Sequence, residues 1–505
     1  MQDLRERALR GGFAKVCSQG AILGTRLGAL VVLARVIDPK DFGLVGMVTV
    51  VTGVFSLFRD AGLSVATVQR PSISDEEVST LFWINMLVGA VLALLSFASA
   101  PVLVAFYREP RLFWVTVALA SGFVLNAAGV QHSAILQRHM RFTTLAIIEA
   151  ISMLVSCGLA IALALAGFGY WALVVMSVSL PAASTLCLWL TSGWLPRSPK
   201  WDPAISSMVR LGGTVTLNTL VVYVAYNAEK VLLGRYLGAE ALGIYGRAYQ
   251  LISIPSESLN SAIYLVAVSG LSRLQGDLSR FRSFFLKGYS LVLSLTLPVT
   301  IACALFADDI IEIVLGPKWR AAAPIFRYLA PTIVALALIN PMGWFLFSSG
   351  RVVRSLKIAL LIAPVVMIGY VVGLPHGVSG VALGYSVAMI LLVVPVIAWA
   401  THGTAIAARD VWRVAWPPLV AALIASGLGL GVGVITRPLS SPFLRLAAGG
   451  GVMLFSYVAV LLYGMNQKQF YVDLIRDFAG GKRVRLFGFS QPDANPPTSL
   501  RRSID

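Results

Sequence analysis

Charge is what this sequence most lacks. Only 12% of its 505 residues are Asp, Glu, Lys or Arg, against about 25% in an ordinary soluble domain. Hydrophobic residues make up 57%, and the mean hydropathy is +0.81. That supply of charge cannot cover a water-facing surface, so a soluble globular fold is excluded and lipid is the expected solvent. Cysteine and histidine are also sparse, with four of each. Cys17, Cys157, Cys187 and Cys303 fall in apolar segments without CxxC or metal-ligand spacing, as small buried apolar side chains do. His132, His139, His376 and His402 are scattered and form no HExxH, so no metal and no cofactor is expected. No Walker motif is present, which excludes ATP hydrolysis on this chain. No nucleophile, base and orienting acid stand together, so the chain does not read as an enzyme. A membrane-embedded glycosyltransferase or polymerase would present a general base in a sizeable outer loop. No outer loop is long, and Asp308, Asp309 and Glu312 are the only acidic cluster outside.

What is abundant is apolar runs. Crossing ~30 Å of hydrocarbon takes about 20 mostly apolar residues. Such runs occupy 12–37, 42–62, 79–106, 112–135, 142–166, 169–191, 206–233, 241–269, 284–306, 323–349, 352–374, 377–400, 412–436 and 442–464. The fold class that follows is an all-α polytopic membrane protein with about fourteen transmembrane helices. The first, seventh and eighth runs carry several polar residues and stand out least by hydropathy. The N-terminal stretch is basic, but the apolar run after it lacks a small-residue cleavage site, so the first span is expected to stay in the mature protein.

The net charge of +17 invites a nucleic-acid reading, but the basic residues are spread in twos and threes along the chain. That distribution suits membrane orientation, and no nucleic-acid partner is expected. With the N-terminus cytoplasmic, most Lys and Arg fall in cytoplasmic loops and tails. The opposite loops hold Lys40, Arg108, Arg111, Arg235, Lys318, Arg320, Arg437 and Arg445. By the positive-inside rule both termini are cytoplasmic.

An internal repeat is visible. LARVIDPKDFGLVGM (33–47) aligns with LLGRYLGAEALGIYGRA (232–248) at an offset of 200, pairing Arg35 with Arg235, Gly43 with Gly243 and Gly46 with Gly246. A weaker match links GFGYWAL (167–173) to GVSGVAL (377–383). The expected organisation is an N-terminal bundle over 1–200, a homologous bundle over 201–404, two appended helices over 405–465, and a cytoplasmic tail over 466–505 whose Pro/Ser/Arg-rich end is disordered. Parallel repeats of this kind mark secondary-transporter architecture.

Ionisable groups inside spans are costly and face a cavity or a partner. Lys15, Gln19 and Arg26 lie within about 40° of one another around the first helix, a polar stripe. Tyr223, Tyr226, Asn227 and Lys230 share a face of the seventh, with Glu229 beside it. In the eighth, Gln250, Ser253, Glu257, Asn260 and Tyr264 fall on one side, with Arg247 at its margin. One reading pairs Lys230 with Glu229 or Glu257 as buried ion pairs. The other notes that intramembrane carboxylates are few (Glu149, Glu229, Glu257). Surplus cation then points to an anionic ligand, a phosphate above all. Arg35 and Arg327, near span ends, are expected to snorkel. Prolines within or near several spans, among them Pro181, Pro255, Pro298 and Pro331, supply kinks.

The run LARVIDPKDFGLVGMVTVVTGVFSLFRDAGLSVATVQR (33–70) resembles the start of the Wzx-type polysaccharide flippases of the multidrug/oligosaccharidyl-lipid/polysaccharide exporter superfamily. NAEKVLLGRYLGAEALGIYGRAYQLISIPSE (227–257) resembles the start of their second half. The resemblance implies alternating-access transfer of undecaprenyl-diphosphate-linked sugar units across a Gram-negative inner membrane for exopolysaccharide or lipopolysaccharide. The implied partners are the lipid-linked oligosaccharide, membrane lipid, a polysaccharide polymerase and a chain-length regulator. The implied substrate-cavity residues are Arg26, Asn227, Lys230, Arg247, Gln250 and Asn260, with Glu149 and Glu257 as proton or sodium sites for ion coupling. A cation antiporter of the superfamily's multidrug branch is the competing reading, against which the cationic balance of the spans argues.

Overall fold

A computed structural model describes residues 2–59, 64, 67–68, 70, 73–199, 220, 223–224, 226–436 and 441–472. The side chains of 2–18 and of some positions between 258 and 269, the start of the seventh expected span (206–219), Arg437 and the tail from 473 lie outside the described residues. So does the side-chain placement of Lys15 and Cys17.

The regular structure among the described residues is all helical, with no strand. Hydrocarbon offers backbone groups no partners, so each crossing segment satisfies its own. The long helices are α1 (Gln2–Val36), α2 (Pro39–Ser56), α3 (Asp75–Tyr107), α4 (Leu112–Arg138), α5 (Phe142–Leu165) and α6 (Tyr170–Ser192). A short α7 (Ala228–Leu232) runs through a π-helical turn (Leu233–Leu237) into α8 (Gly238–Arg273). Then come α9 (Leu278–Leu305), the amphipathic α10 (Ala307–Val314), α11 (Ala322–Ser348), α12 (Val352–Gly373), α13 (Gly377–Thr401), α14 (Ala408–Ile435) and α15 (Pro442–Ala459). Their starts follow local chemistry. Pro39 opens α2, where its missing N–H costs nothing. The Ser74 hydroxyl and the Glu77 carboxylate form a capping box on α3.

Among the described residues ten stretches are long and apolar enough to cross a membrane, and Val352–Thr401 among them is two consecutive helices. The chain is a multi-pass membrane protein. The difference from the fourteen expected has a physical source. Helix α2 spends its first turn on Pro39, Lys40 and Asp41, α8 is diluted by Arg247, Gln250 and Glu257, and part of the seventh run lies outside the described residues.

Helices before residue 193 pack largely on one another: α1 on α5, α3 on α4, α6 on α4 and α5. Those after 228 do likewise: α11 on α8, α9 and α13, α12 on α13, α14 on α9 and α15. The α12–α13 hairpin closes on glycine. A Cβ at Gly369, Gly373, Gly380 or Gly384 would run into the opposing backbone, the small-residue contact that lets membrane helices approach. The two groups meet chiefly where α2 lies along α8.

That meeting line is the repeat itself. A Cβ on Gly43 would collide with the Ala239 carbonyl, and one on Gly243 with the Pro39 carbonyl. At the same end Trp319, fully buried, donates its indole N–H to the Ala34 carbonyl at 2.7 Å and meets the Phe42 ring edge-on at 5.4 Å. Lys318 pairs with Asp38 at 2.9 Å. Arg35 does not simply snorkel, since it donates to the Ile313 carbonyl at 2.7 Å. Arg327 likewise pairs with Asp308, at 2.8 Å. The acidic cluster of this loop is therefore engaged by cations, with Arg445 on Asp309 and Arg320 near Glu312.

Candidate functional site

The cations named from the sequence occupy three places. Arg26 is exposed on α1, on the side that packs against α5 near Cys157. Lys230 is half-buried on α7, a segment that touches α2 and α12. Arg247 is on α8, its guanidinium 4.1 Å from the centre of the Phe42 ring on α2. This is a close cation–π contact across the line where the two groups of helices meet.

Amide side chains hold two of these cations. Lys230 Nζ donates to Asn227 Oδ1 at 2.6 Å, and Asn227 Nδ2 donates to the Tyr223 carbonyl at 2.8 Å. Arg247 donates to Gln250 Oε1. Neutral amides orient a cation without neutralising it. Among the described residues, Arg26, Lys230 and Arg247 form no ion pair, so the expected alternative of a Lys230–Glu229 or Lys230–Glu257 pair is not what the side chains adopt.

The remaining residues named from the sequence sit apart. Asn260 and the exposed Glu257 line a narrow cavity of about 50 Å³ together with Tyr249, Ser253 and Asn340. The Asn260 Oδ1 atom is buried without a hydrogen-bond partner. Asn340 also borders a larger space of about 250 Å³ that reaches Tyr226 and Phe347. Glu149 is half-buried on α5, in the first group of helices, where it has an interaction partner. The chain therefore does not gather Glu149 and Glu257 into one site. Among the described residues no three His, Cys, Asp or Glu side chains stand together as a metal site.

Sequence reasoning named Glu229 only as a counter-ion for Lys230 and left it out of the candidate site, yet among the described residues it is the most buried carboxylate of the second half. Glu229 is 1% exposed and its Oε2 has no hydrogen-bond partner. It faces a group of tyrosines from three other helices. The adjacency of Lys230 drew attention to an ion pair. The i, i+4 spacing of Tyr245 and Tyr249, together with Tyr370 and Tyr385, was the available signal.

Outside the spans, electrostatics is structural. Arg282 grips Asp410 through two bonds of 3.1 and 2.6 Å, and this hydrogen bonding holds the Asp410 carboxyl below the usual carboxylate range. Asp410 also accepts from the Ala407 N–H and so caps α14.

Comparison with known proteins bears on this arrangement. A family model described as "Polysaccharide biosynthesis protein" matches residues 32–324. The teichuronic acid biosynthesis protein TuaB of Bacillus subtilis is 32% identical over 305 residues, 58% of this chain and 61% of its own length. The chain thus matches under two thirds of that relative. The lipopolysaccharide biosynthesis protein WzxC of Escherichia coli is 26% identical over 77% of this chain and 80% of its own. The succinoglycan biosynthesis transport protein ExoT of Rhizobium meliloti is 23% identical, covering 66% of each. Among solved structures, the lipid II flippase MurJ in an inward closed conformation superposes with TM-score 0.71 at 15% identity, covering 93% of this chain and all of MurJ. An inward-facing MATE-family multidrug transporter of the MOP superfamily superposes with TM-score 0.63 at 14% identity, over 78% of this chain and 95% of its own. At those identities the likeness is one of fold.

Proposed function

Because this chain belongs to the polysaccharide biosynthesis protein family, we propose that it is a flippase. It carries undecaprenyl-diphosphate-linked oligosaccharide repeat units from the cytoplasmic to the periplasmic leaflet of a bacterial inner membrane. The observation that carries this reading is the set of intramembrane cations, Arg26, Lys230 and Arg247, that have no carboxylate partner among the described residues. Two of them are positioned by neutral amides, Asn227 and Gln250. A diphosphate is the anion such groups bind well, and Asn260 offers an unsatisfied polar atom for sugar hydroxyls. Dragging those hydroxyls and two phosphates through hydrocarbon costs several kcal/mol per unsatisfied polar group. Spontaneous transfer is therefore negligible and a hydrated path between the helix groups is required.

The same reading includes fourteen spans, both termini in the cytoplasm, two six-helix bundles (1–200 and 201–404), and the helices of 405–465 appended before a cytoplasmic tail. With that orientation, the end sealed by Gly43, Gly243 and Trp319 is periplasmic, and transfer proceeds by opening it while the other end closes. A polymerase and a chain-length regulator would take the product on the far side.

Deleting the chain tests the proposal. Surface polysaccharide should stop while diphosphate-linked units accumulate in the inner leaflet. Missing or shortened units would indicate a transferase, and single units stalled outside a polymerase. Normal polysaccharide with raised sensitivity to cationic drugs would overturn the flippase reading in favour of an antiporter.

A further inference from the structure

The Glu229 carboxyl is a buried group that the substrate reading leaves unused, although its helix also carries Lys230. The residue is 1% exposed, and Oε2 has no hydrogen-bond partner. Two other buried oxygens nearby are in the same condition, the hydroxyls of Tyr245 on α8 and Tyr370 on α12, both on fully buried side chains. Tyr385 of α13 packs its ring 5.2 Å from that of Tyr370, and Tyr249 stacks on Tyr245 at 6.3 Å. Besides the Lys230 ammonium, the titratable groups that act on the carboxyl are phenols. They are Tyr223 from the segment before α7, Tyr245 and Tyr249 from α8, Tyr370 from α12 and Tyr385 from α13. Helix α2, which also touches α7, carries no titratable side chain beyond its first turn. Lys230, the neighbour in sequence, gives its ammonium to Asn227.

An ionised carboxylate held this way has no countercharge bonded to it, and burying one uncompensated costs far more than neutralising it. Three unsatisfied oxygens on three elements call for one shared ligand. A metal ion would need room and further oxygens, whereas neither cavity described above is lined by Glu229, Tyr245 or Tyr370. A proton needs no room. On Oε2 it turns an acceptor into a donor, and the phenols accept as readily as they donate.

We propose that Glu229, with the hydroxyls of Tyr245 and Tyr370, is the proton-binding site of this transporter, loaded in the arrangement seen here. On release the O–H bond at Oε2 breaks, its electron pair stays on the carboxylate, and the proton passes to water admitted when α12 parts from the continuous α7–α8 segment. The charged carboxylate then cannot return to the closed cage until it is protonated again, which ties proton movement to the change of access. This use of the proton rests on the flippase reading; the occupancy of the site does not. It adds Glu229 to the candidates for ion coupling named from the sequence, Glu149 and Glu257.

Two measurements on the full chain in lipid test it. Infrared spectra of the purified protein in nanodiscs at neutral pH should contain a protonated-carboxyl band that Glu229→Gln removes and Tyr370→Phe shifts. Glu229→Gln has the shape of the protonated acid, so it should remain folded and monodisperse. If the band is absent, or unchanged in Glu229→Gln, the site is overturned. In proteoliposomes with a diphosphate-linked polyprenyl oligosaccharide, an imposed pH gradient should change the wild-type flipping rate several-fold and leave Glu229→Gln insensitive. Dependence on a sodium gradient at constant pH would overturn the proton in favour of a metal ion. A wild-type protein that shows the band but flips nothing would sink the flippase reading and leave the proton site standing.

Discussion

Gly43 and Gly243, 200 residues apart in the chain, hold reciprocal positions. Each presents its bare Cα to a backbone carbonyl of the other's repeat, Gly43 to Ala239 and Gly243 to Pro39. Ala239 and Pro39 are themselves separated by the same offset. The sequence repeat is thus also a contact, two copies of one helix-opening segment packed against each other across a pseudo-symmetric seam. A methyl at either glycine must push α2 and α8 apart.

Overpacking of that kind costs about 1–3 kcal/mol, charged only to the state in which the seam is closed. Gly43→Ala and Gly243→Ala should therefore shift the access equilibrium toward opening at this end by roughly 5- to 150-fold. The readout is crosslinking between cysteines placed at Asp38 and Lys318, which are salt-bridged at 2.9 Å. Crosslinking should fall in either glycine variant. Unchanged crosslinking would mean the seam does not open.

Lys230→Ala should abolish or greatly slow transport while leaving the amount of folded protein near normal. The ammonium bonds Asn227 and is not paired with Glu229, so its removal strands no charge. A hydrogen bond to a charged group contributes about 1.5–3 kcal/mol, or roughly 10- to 150-fold in affinity for the diphosphate lipid. Equilibrium binding to detergent-solubilised protein would measure it. Loss of folded protein instead would restore the ion-pair reading, because breaking a buried pair costs about 3–5 kcal/mol.

The legible and illegible parts of this chain divide along physical lines. Apolar runs announce helices because hydrocarbon leaves the backbone no other choice, and the runs at 142–166 and 377–400 match α5 and α13 within a residue or two. The repeat was legible because glycine is required on both sides of the seam. Trp319 was not, since its role depends on Ala34 and Phe42, far away in the chain. The same holds for the cation centres. Local spacing finds Asn227–Lys230 and Arg247–Gln250, each three residues apart on one helix. It cannot show that Arg247 lies over Phe42, or that tyrosines of α8, α12 and α13 surround Glu229.

Stability should also depend on the Asp410–Arg282 bridge in a definite pH window. The folded Asp410 carboxyl titrates below its unfolded value because Arg282 hydrogen-bonds it. A depressed acid stabilises above the unfolded pKa of about 4 and loses that contribution as pH falls through the folded one. Asp410→Asn should therefore lower the melting temperature near neutral pH, and the gap to wild type should narrow below about pH 4. Arg282 is half-exposed, so the effect is small and should shrink in high salt. A gap that persists unchanged in acid would assign the loss to the α14 cap alone.

Arg247 provides the last test, because it has a competitor for any anion. In this structure its charge is spread over the face of Phe42 at 4.1 Å, an interaction of about 0.5–2 kcal/mol. A diphosphate binding at Arg247 must draw the guanidinium away from that ring, so the aromatic face opposes substrate and also ties α8 to α2. Replacing Phe42 by Leu removes the competing face while keeping an apolar side chain. Diphosphate-lipid affinity should then rise by roughly 2- to 30-fold, even though the protein loses some stability, since Phe42 is buried and packs on Trp319. Arg247→Lys should behave in the opposite sense. The compact ammonium loses both the planar stacking and the fork that engages a phosphate bidentately, so affinity should drop despite the retained charge. Binding measured side by side for the two variants separates the ideas. Should Phe42→Leu weaken binding as Arg247→Lys does, the cation would be a brace between α2 and α8, and the diphosphate would have to be held elsewhere.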